Sequence, residues 1–163
     1  MNKNAKILYL MAGIPASGKS TCALQIAQDT GAVYVSRDEI RFAVLKDGEE
    51  YFSHEDEVYD EFVAAIQAAL DGGNSCIADA THLSMFPRYK LLDRLNLTDV
   101  KVILVMMGTS LEECLRRNAL RTGRARVPDS VIRNMWVSYK APIGMETEKY
   151  YKIITVKDGE YHE

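Results

Sequence analysis

Short, continuous apolar runs recur along the chain and are separated by segments of mixed polarity. Five runs stand out, at residues 6–11, 32–36, 75–78, 100–107 and 150–156. Such runs are typical of strands that are covered on both faces of a parallel sheet. The pattern therefore predicts a mostly parallel sheet of five strands.

The segments between these runs carry the spacing of amphipathic helices. Val58, Phe62, Ile66 and Leu70 recur every four residues, which predicts a helix that begins near Ser53. Further helices are predicted at 20–31, 37–45, 85–95, 110–121 and 129–140. We expect Pro87 to interrupt the helix at 85–95 early.

The alternation of strands and helices defines the fold class. It predicts an α/β fold with helices on both faces of the sheet. Within the helix at 110–121, Leu111, Cys114 and Leu120 are expected to face inward. No linker divides the 163 residues, so we expect one domain over 1–163.

Composition narrows the function classes. The formal net charge is −3, so any grip on an anionic substrate must come from a local basic cluster. No apolar run approaches a membrane span, and the lysine-bearing N-terminal head leads into the first strand rather than forming a signal peptide. We expect a cytoplasmic protein without a membrane partner. Its three cysteines, Cys22, Cys76 and Cys114, are expected to be buried reduced thiols.

The first apolar run leads into the sequence GIPASGKS at 13–20, which matches GxxxxGK[ST] between a strand and a helix. The glycines let backbone amides surround a phosphate at the helix N-terminus. Lys19 then reaches the β- and γ-phosphates, and the Ser20 hydroxyl ligates Mg²⁺. The alternative, a plain glycine-rich turn, leaves this context unexplained. The predicted nucleotide-binding residues are Gly13, Ala16, Ser17, Gly18, Lys19, Ser20 and Thr21.

The second run leads into SRDEIR at 36–41. Asp38 follows a strand end, where a carboxylate can accept the proton of an attacking hydroxyl. Arg41, one turn later, can hold an acceptor phosphate. The alternative is a capping box, in which Ser36 and Glu39 merely start a helix. Both interpretations can hold together.

The third run ends at Asp79. A carboxylate beside the glycine loop could orient Mg²⁺ through water. It could also fix Arg41 or the acceptor, or simply close the strand in an Asx turn. The sequence leaves these roles open.

A basic segment, CLRRNALRTGRARVP at 114–128, covers the end of the helix predicted at 110–121 and the loop that follows it. It carries Arg116, Arg117, Arg121, Arg124 and Arg126. If the helix continues to Arg124, then Arg117, Arg121 and Arg124 share one side. With Gly123 at its tip, the segment resembles a lid that closes over a triphosphate and neutralises the moving phosphoryl group. The alternative is a solvated charged face.

Four stretches together indicate a family: GIPASGKST, SRDEIR, IADATHLS and RRNALRTGRARVPDSVIRNM. In this order and spacing, over about residues 6–139, the chain resembles the 5′-hydroxyl polynucleotide kinase domain of the bacteriophage kinase-phosphatase family, within the P-loop kinases. The resemblance implies ATP as the donor, with Mg²⁺. It implies that Lys19 and Ser20 bind ATP and Mg²⁺. On the acceptor side, it implies that Asp38 is the general base, that Arg41 contacts the acceptor phosphate and that Asp79 organises the acceptor. In the lid, it implies that Arg121 contacts the transferring phosphate and that Arg117 supports the lid.

The chain also departs from that family. Nothing in it resembles the aspartate-rich phosphatase signature, the lid is one residue longer, and Asp79 is followed by ATHL instead of threonine and asparagine. The leading hypothesis is a kinase for the 5′-hydroxyl of a nucleic-acid end. A kinase for a nucleoside, sugar or antibiotic is the second.

Two other classes are disfavoured. A nucleotide switch or ATPase without an acceptor lacks support, since the chain carries no NKxD-type motif and no apolar strand ending in Asp-Glu. A plain nucleic-acid binder is disfavoured by the net charge and by the expected lack of an aromatic platform.

Overall fold

Six strands form the sheet in the computed structural model, which describes residues 5–163. They are β1 (Lys6–Ala12), β2 (Val33–Ser36), β3 (Cys76–Asp79), β4 (Val100–Met107), β5 (Lys152–Lys157) and β6 (Glu160–His162). Their order is β2-β3-β1-β4-β5-β6, with β1 to β5 parallel and β6 antiparallel to β5. The predicted α/β fold and parallel sheet are confirmed. The first four residues of the N-terminal head considered above lie outside the described part.

The sixth strand is the one difference from the predicted sheet. Asp158 and Gly159 both have positive φ angles, 52° and 76°, as in the tight turns that favour hairpins. This turn folds the short segment Glu160–His162 back onto β5. Its three residues are exposed and form no apolar run, so this strand could not be recognised from the sequence.

Helices join the strands and cover the sheet. They are α1 (Lys19–Thr30), α2 (Arg37–Val44), α3 (Glu55–Asp71), α4 (Met85–Arg94), α5 (Leu111–Ala119) and α6 (Asp129–Ser138). Short 3₁₀ turns occupy Gly123–Ala125 and Gly144–Lys149. Pro87 does not interrupt α4, because it lies in the first turn, where the backbone N–H groups lack helical partners anyway.

The end of α5 answers the open question about the arginines and corrects the expectation for Leu120. The helix stops at Ala119, so it does not reach Arg124 and cannot align the arginines of the basic segment on one side. Leu120 is 74% exposed instead of facing inward. Cys114 is buried as expected, in a small core with Ile14 and Ile132.

The main core has one layer on each face of the sheet. On one face, the four-residue repeat of α3 packs against Leu8, Leu10 and Leu104. On the other face, α1 places Ala23 and Ile26 against neighbouring strand residues. Alternate residues of each strand therefore serve opposite layers, as both-sided burial requires.

The cysteines match their expected state. Cys22, Cys76 and Cys114 are buried free thiols. Burial raises the pKa of the Cys76 thiol to about 12, so that side chain stays protonated and behaves as a small apolar group.

None of the helices within residues 5–163 combines the length and the apolarity that crossing a bilayer requires.

Candidate active site

The carboxyl ends of three neighbouring strands meet at one edge of the sheet. β1 lies beside β3, and β3 lies beside β2, all parallel. Ser36 at the end of β2 is in register with Asp79 at the end of β3. The backbone amide of Gly13, just after β1, donates to the Thr81 carbonyl at 2.9 Å. This edge is where open α/β sheets bind their ligands.

The loop between β1 and α1 is held in a specific backbone conformation. Ala16 and Gly18 have φ angles of 65° and 87°. Glycine adopts this left-handed region freely, whereas alanine loses about 1 kcal/mol there. A Cβ added at Gly13 would come within 2.8 Å of the Ser17 hydroxyl oxygen. The Thr109 hydroxyl donates to the Ser17 carbonyl at 2.7 Å and braces the loop from outside. Strained loops of this kind cluster at functional sites.

Asp79 lies against the two reactive side chains of this loop. Its carboxylate is buried, with Oδ1 3.2 Å from the Lys19 ammonium nitrogen. Its Oδ2 accepts hydrogen bonds from the Ser20 hydroxyl, at 2.9 Å, and from the Tyr34 hydroxyl. Burial and this carboxylate raise the pKa of Tyr34 to about 12. Asp79 therefore contacts the predicted nucleotide and metal residues directly.

The donor set fits a Mg²⁺ ion. Apart from its ion pair with Lys19, the buried Asp79 Oδ1 atom has no hydrogen-bond partner among the described residues. The Ser20 hydroxyl lies next to the same carboxylate. Carboxylate and hydroxyl oxygens are the hard ligands that Mg²⁺ prefers, and it commonly takes only one or two from the protein, with phosphates and water completing its shell.

Asp38 stands at the start of α2 with its carboxylate 60% exposed. The Ser36 hydroxyl accepts the backbone N–H of Glu39 at 3.2 Å, so the capping interaction considered above is present. The cap therefore does not use the Asp38 side chain. The Asp38 Oδ1 atom accepts a hydrogen bond from the Tyr51 hydroxyl at 2.6 Å and pairs with Arg41.

Arg41 is held more tightly than the sequence indicates. It is only 4% exposed, and its guanidinium donates to Glu55 through Nε at 2.7 Å and Nη2 at 3.0 Å. The Tyr51 ring lies 4.2 Å from its guanidinium carbon. Although burial would raise the pKa of Glu55, hydrogen bonds from Arg41 hold it below its usual value. Arg41 thus braces Asp38.

Glu55 is a site residue that the sequence did not reveal. It belongs to an acidic stretch with many carboxylates, and no spacing links it to Arg41, which lies fourteen positions away. It also accepts a hydrogen bond from Arg37 at 2.9 Å. Only the packing of α3 against α2 brings these side chains together.

One cavity of about 330 Å³ joins these parts. Its lining includes six of the side chains proposed from the sequence, namely Lys19, Ser20, Asp38, Arg41, Asp79 and Arg121. Gly13, Ser17 and Arg117, which were also predicted to bind the nucleotide, do not line it. Loop residues Ala16, Gly18 and Thr21 line it too. The proposed base and the phosphate-binding loop therefore share one space.

The basic segment between α5 and α6 is anchored at both ends. Buried Asn118 donates to the Val127 carbonyl at 2.6 Å and accepts from the Val127 amide at 3.0 Å. Between these anchors, Arg121 lines the cavity and donates to the Ala125 carbonyl at 3.3 Å. Arg117 places a guanidinium nitrogen beside Gly18, 3.3 Å from where a Cβ would stand. We call residues 119–126 the lid.

The arginines near the lid divide into two groups. Arg116 and Arg117 both donate to Glu113, and Arg116 is exposed, which matches the solvated-face interpretation for Arg116. Within residues 5–163, no carboxylate lies within salt-bridge distance of Arg121, Arg124 or Arg126. These three positive charges remain free to meet an anionic ligand.

His82 is bonded to the strand that leads into the phosphate-binding loop, and the sequence analysis did not identify it as a site residue. Its Nδ1 donates to the Met11 carbonyl at 2.7 Å. Burial lowers the pKa of His82 to about 4, so the ring is neutral near pH 7. A neutral buried ring fixes the end of β1 without adding charge beside Lys19.

Comparisons with known proteins agree with this architecture. The model of the AAA_33 family, an AAA domain, matches residues 8–142. Among solved structures, a chain of the Pnkp1/Rnl/Hen1 RNA repair complex superposes with a TM-score of 0.73 at 24% identity, covering 85% of this chain and 47% of that one. This chain thus spans about half the length of that relative. No curated protein matches significantly.

Two further structures match over nearly their whole length. A sugar kinase from Janibacter sp. HTCC2649 gives a TM-score of 0.66 at 20% identity, covering 93% of this chain and 85% of that one. Kti12 from Chaetomium thermophilum, in complex with ADP-AlF3, gives 0.69 at 18% identity, covering 91% and 88%. At such identities the likeness concerns the fold, which is that of P-loop kinases.

Proposed function

The chain belongs to the AAA_33 family, and on this premise we propose that it is a kinase that transfers the γ-phosphate of ATP to a hydroxyl, in particular the 5′-hydroxyl of a polynucleotide. The observation that carries the proposal is the shared cavity. An exposed carboxylate, Asp38, lines the same space as Lys19 and Ser20 of the phosphate-binding loop. That space leaves room for an acceptor hydroxyl between the carboxylate and the loop, which a kinase requires.

The chain's residues divide the reaction between them. The loop amides and Lys19 bind the β- and γ-phosphates. The acceptor oxygen forms a bond to the γ-phosphorus, the bond to the bridging oxygen of ADP breaks, and the hydroxyl proton passes to Asp38. Both hydrogen bonds to Asp38 fall on Oδ1, so Oδ2 is available to the hydroxyl within the described residues.

Mg²⁺ and the lid supply charge neutralisation. When bound, Mg²⁺ screens the negative charge of the β- and γ-phosphate oxygens. Ser20 and Asp79 are the residues that would hold it, directly or through water. Arg121 lines the cavity without a carboxylate partner, so its charge is available to the transferring phosphoryl group.

The acceptor is the finer part of the proposal. A chain of an RNA repair complex and a sugar kinase both share the fold, so the fold alone does not choose between a polynucleotide and a small molecule. The sequence resemblance to 5′-hydroxyl polynucleotide kinases favours the former. A small-molecule kinase is the second candidate, since the sugar kinase covers nearly the entire chain.

A transfer assay tests the proposal. The protein is incubated with Mg²⁺ and γ-labelled ATP together with 5′-hydroxyl oligonucleotides, 5′-phosphorylated controls, nucleosides or sugars. Label on 5′ ends supports the leading proposal, and label only on small molecules supports the second. ATP hydrolysis with no labelled acceptor would contradict both.

Asp38→Asn tests the role of Asp38 as general base. We expect it to lower kcat by about 10²-fold or more while ATP affinity stays nearly unchanged, since a general base acts in the transition state. Glu39→Gln, one residue away and exposed, removes the same charge without touching the cavity. Normal turnover in Asp38→Asn would mean that Asp38 serves α2 alone.

A further inference from the structure

Three aromatic side chains form a cluster next to the proposed acceptor site. Phe42 on α2 meets Tyr51 edge to face, with ring centroids 6.1 Å apart, and Tyr51 meets Phe52 at 4.6 Å. Phe52 is 63% exposed, and the other two rings are more than a third exposed. We call Phe42, Tyr51 and Phe52 the aromatic cluster. It corrects the expectation that the chain has no aromatic platform.

A second cavity, of about 380 Å³, opens beside this cluster. Its lining is mostly apolar and comes from α2 and the loop after it, from the end of the lid and from α6. The lining includes Phe42, Leu45, Val127, Pro128, Val131 and Met135. Tyr51, Phe52 and Met135 line both this cavity and the one that holds Asp38. An acceptor whose hydroxyl lies at Asp38 can therefore extend directly into the second cavity.

Positive charge borders this apolar space. Arg124 and Arg126 line the second cavity, and the Arg124 guanidinium carbon lies 5.8 Å from the centre of the Phe42 ring. Glu49 is the one acidic residue of the lining. Its carboxylate is engaged with the His54 ring at 2.7 Å and the Lys46 amide at 3.1 Å. The two arginines have no such partner within residues 5–163.

We propose that the second cavity receives the 5′-terminal base of a single-stranded nucleic acid, which stacks on the aromatic cluster while Arg124 and Arg126 contact the following phosphates. The inference rests on the proposed function and names its substrate class. Exposed rings that stack bases, next to arginines that meet the backbone, are the combination used to bind single strands.

A sugar fits this cavity less well. Its hydroxyls require many hydrogen-bond partners, whereas the lining offers chiefly hydrocarbon and aromatic surface. A neutral sugar also gives the two free arginines nothing to bind. A nucleic-acid end matches the aromatic rings, the arginines and the carboxylate together: the faces of its base can stack, its phosphates are anionic, and its 5′-hydroxyl can reach Asp38.

Steady-state kinetics with Phe52→Ala tests the proposal, with Phe86→Ala as the matched control. Phe86 is likewise exposed, but it lies in the first turn of α4 and lines neither cavity. We expect Phe52→Ala to raise KM for 5′-hydroxyl DNA and RNA oligonucleotides by about tenfold or more, with KM for ATP unchanged. An oligonucleotide with an abasic 5′ residue should lose this difference between the wild type and the variant.

The arginines have a separate readout. The double variant Arg124→Ala/Arg126→Ala should flatten the salt dependence of oligonucleotide KM, because fewer counterions are released on binding. Its matched control is Arg94→Ala/Arg133→Ala, which removes two arginines that line neither cavity. An unchanged salt slope in the double variant would contradict the assigned phosphate contacts.

A binding measurement separates this inference from the proposed function. A 5′-hydroxyl oligonucleotide with 2-aminopurine at its first position reports stacking by fluorescence quenching, without any transfer. If the wild type labels no acceptor but quenches this probe and Phe52→Ala does not, the kinase proposal fails and the base site stands. If oligonucleotides are labelled and KM and quenching are equal in both proteins, the base site fails alone. Labelling only of sugars, without quenching, overturns it as well.

Discussion

Glu55 accepts two hydrogen bonds from the Arg41 guanidinium, from Nε to Oε1 at 2.7 Å and from Nη2 to Oε2 at 3.0 Å. The remaining nitrogen, Nη1, pairs with Asp38 and lies 2.7 Å from the Tyr51 hydroxyl oxygen. Arg41 is therefore oriented by one carboxylate while it orients another. The first residue of the α3 helix thereby acts on the proposed base through a buried side chain of α2.

Replacing Glu55 by glutamine tests this relationship. The variant keeps the side chain's shape but loses the charge that balances buried Arg41, so we expect a loss of about 2 kcal/mol in the free energy of unfolding. We also expect kcat to fall while KM for ATP changes little, because Asp38 loses its orientation. Urea unfolding and initial rates give the two readouts. Glu61→Gln, an exposed position on the same helix, should change neither.

Asp79→Asn separates the metal from the nucleotide. Asp79 holds Ser20 and faces Lys19, so the variant should raise the Mg²⁺ concentration needed for half-maximal rate by about tenfold, as changes around metal ligands commonly do. Binding of ATP in EDTA should change little. Titration of Mg²⁺ at fixed ATP measures the effect, with Asp71→Asn at the exposed end of α3 as control. An unaltered Mg²⁺ profile would leave Asp79 as a structural brace for the loop.

Arg121→Ala tests the lid. Arg121 lines the cavity without a carboxylate partner, and arginines that stabilise a transferring phosphoryl group contribute about 10³-fold or more. We expect a loss in kcat of that order with little change in ATP affinity. Arg133→Ala removes an equal charge from the exposed side of α6 and should retain activity. Equal activity of the two variants would exclude Arg121 from the chemistry.

His82 gives a stability change with pH. Its folded pKa of about 4 lies below the unfolded value near 6.5, so the unfolded chain binds the extra proton first. The contribution of His82 to the free energy of unfolding is therefore complete above about pH 6.5 and is lost as pH falls towards 4. Between pH 7 and pH 5 the loss amounts to about 2 kcal/mol. Urea unfolding at both values measures it.

His82→Asn is the comparison for that measurement. Asparagine can still donate to the Met11 carbonyl, and it tolerates the positive φ of 39° at this position. The asparagine side chain does not titrate in this range, so the stability of the variant should fall less between pH 7 and pH 5. The same fall in both proteins would assign the pH dependence to other groups.

The sequence predicted what local rules determine. Continuous apolar runs identified β1 to β5, and the four-residue repeat of α3 identified its buried face. The phosphate-binding loop was predicted because its glycines, lysine and serine are consecutive. The capping pattern at Ser36 and the possible role of Asp38 were both inferred, and the geometry accommodates both.

What the sequence missed depends on distant packing. Glu55 reaches Arg41 only because α3 lies against α2. The aromatic cluster joins Phe42 to residues nine and ten positions later, across a loop without a regular period. The condition for aligning Arg117, Arg121 and Arg124, a helix that continues to Arg124, is not met, because α5 ends at Ala119 and Asn118 pairs with Val127.

The pairing of Asn118 with Val127 has a consequence for variation of the protein. It closes residues 119–126 into a loop whose two ends stay at a fixed separation, whatever lies between them. Lengthening such a loop by a few residues changes its closure entropy by only about 0.6 kcal/mol per doubling. The segment that carries Arg121, Arg124 and Arg126 is thus open to insertions, deletions and exchange between homologues, and chimeras made at these two anchors should keep the rest of the molecule intact.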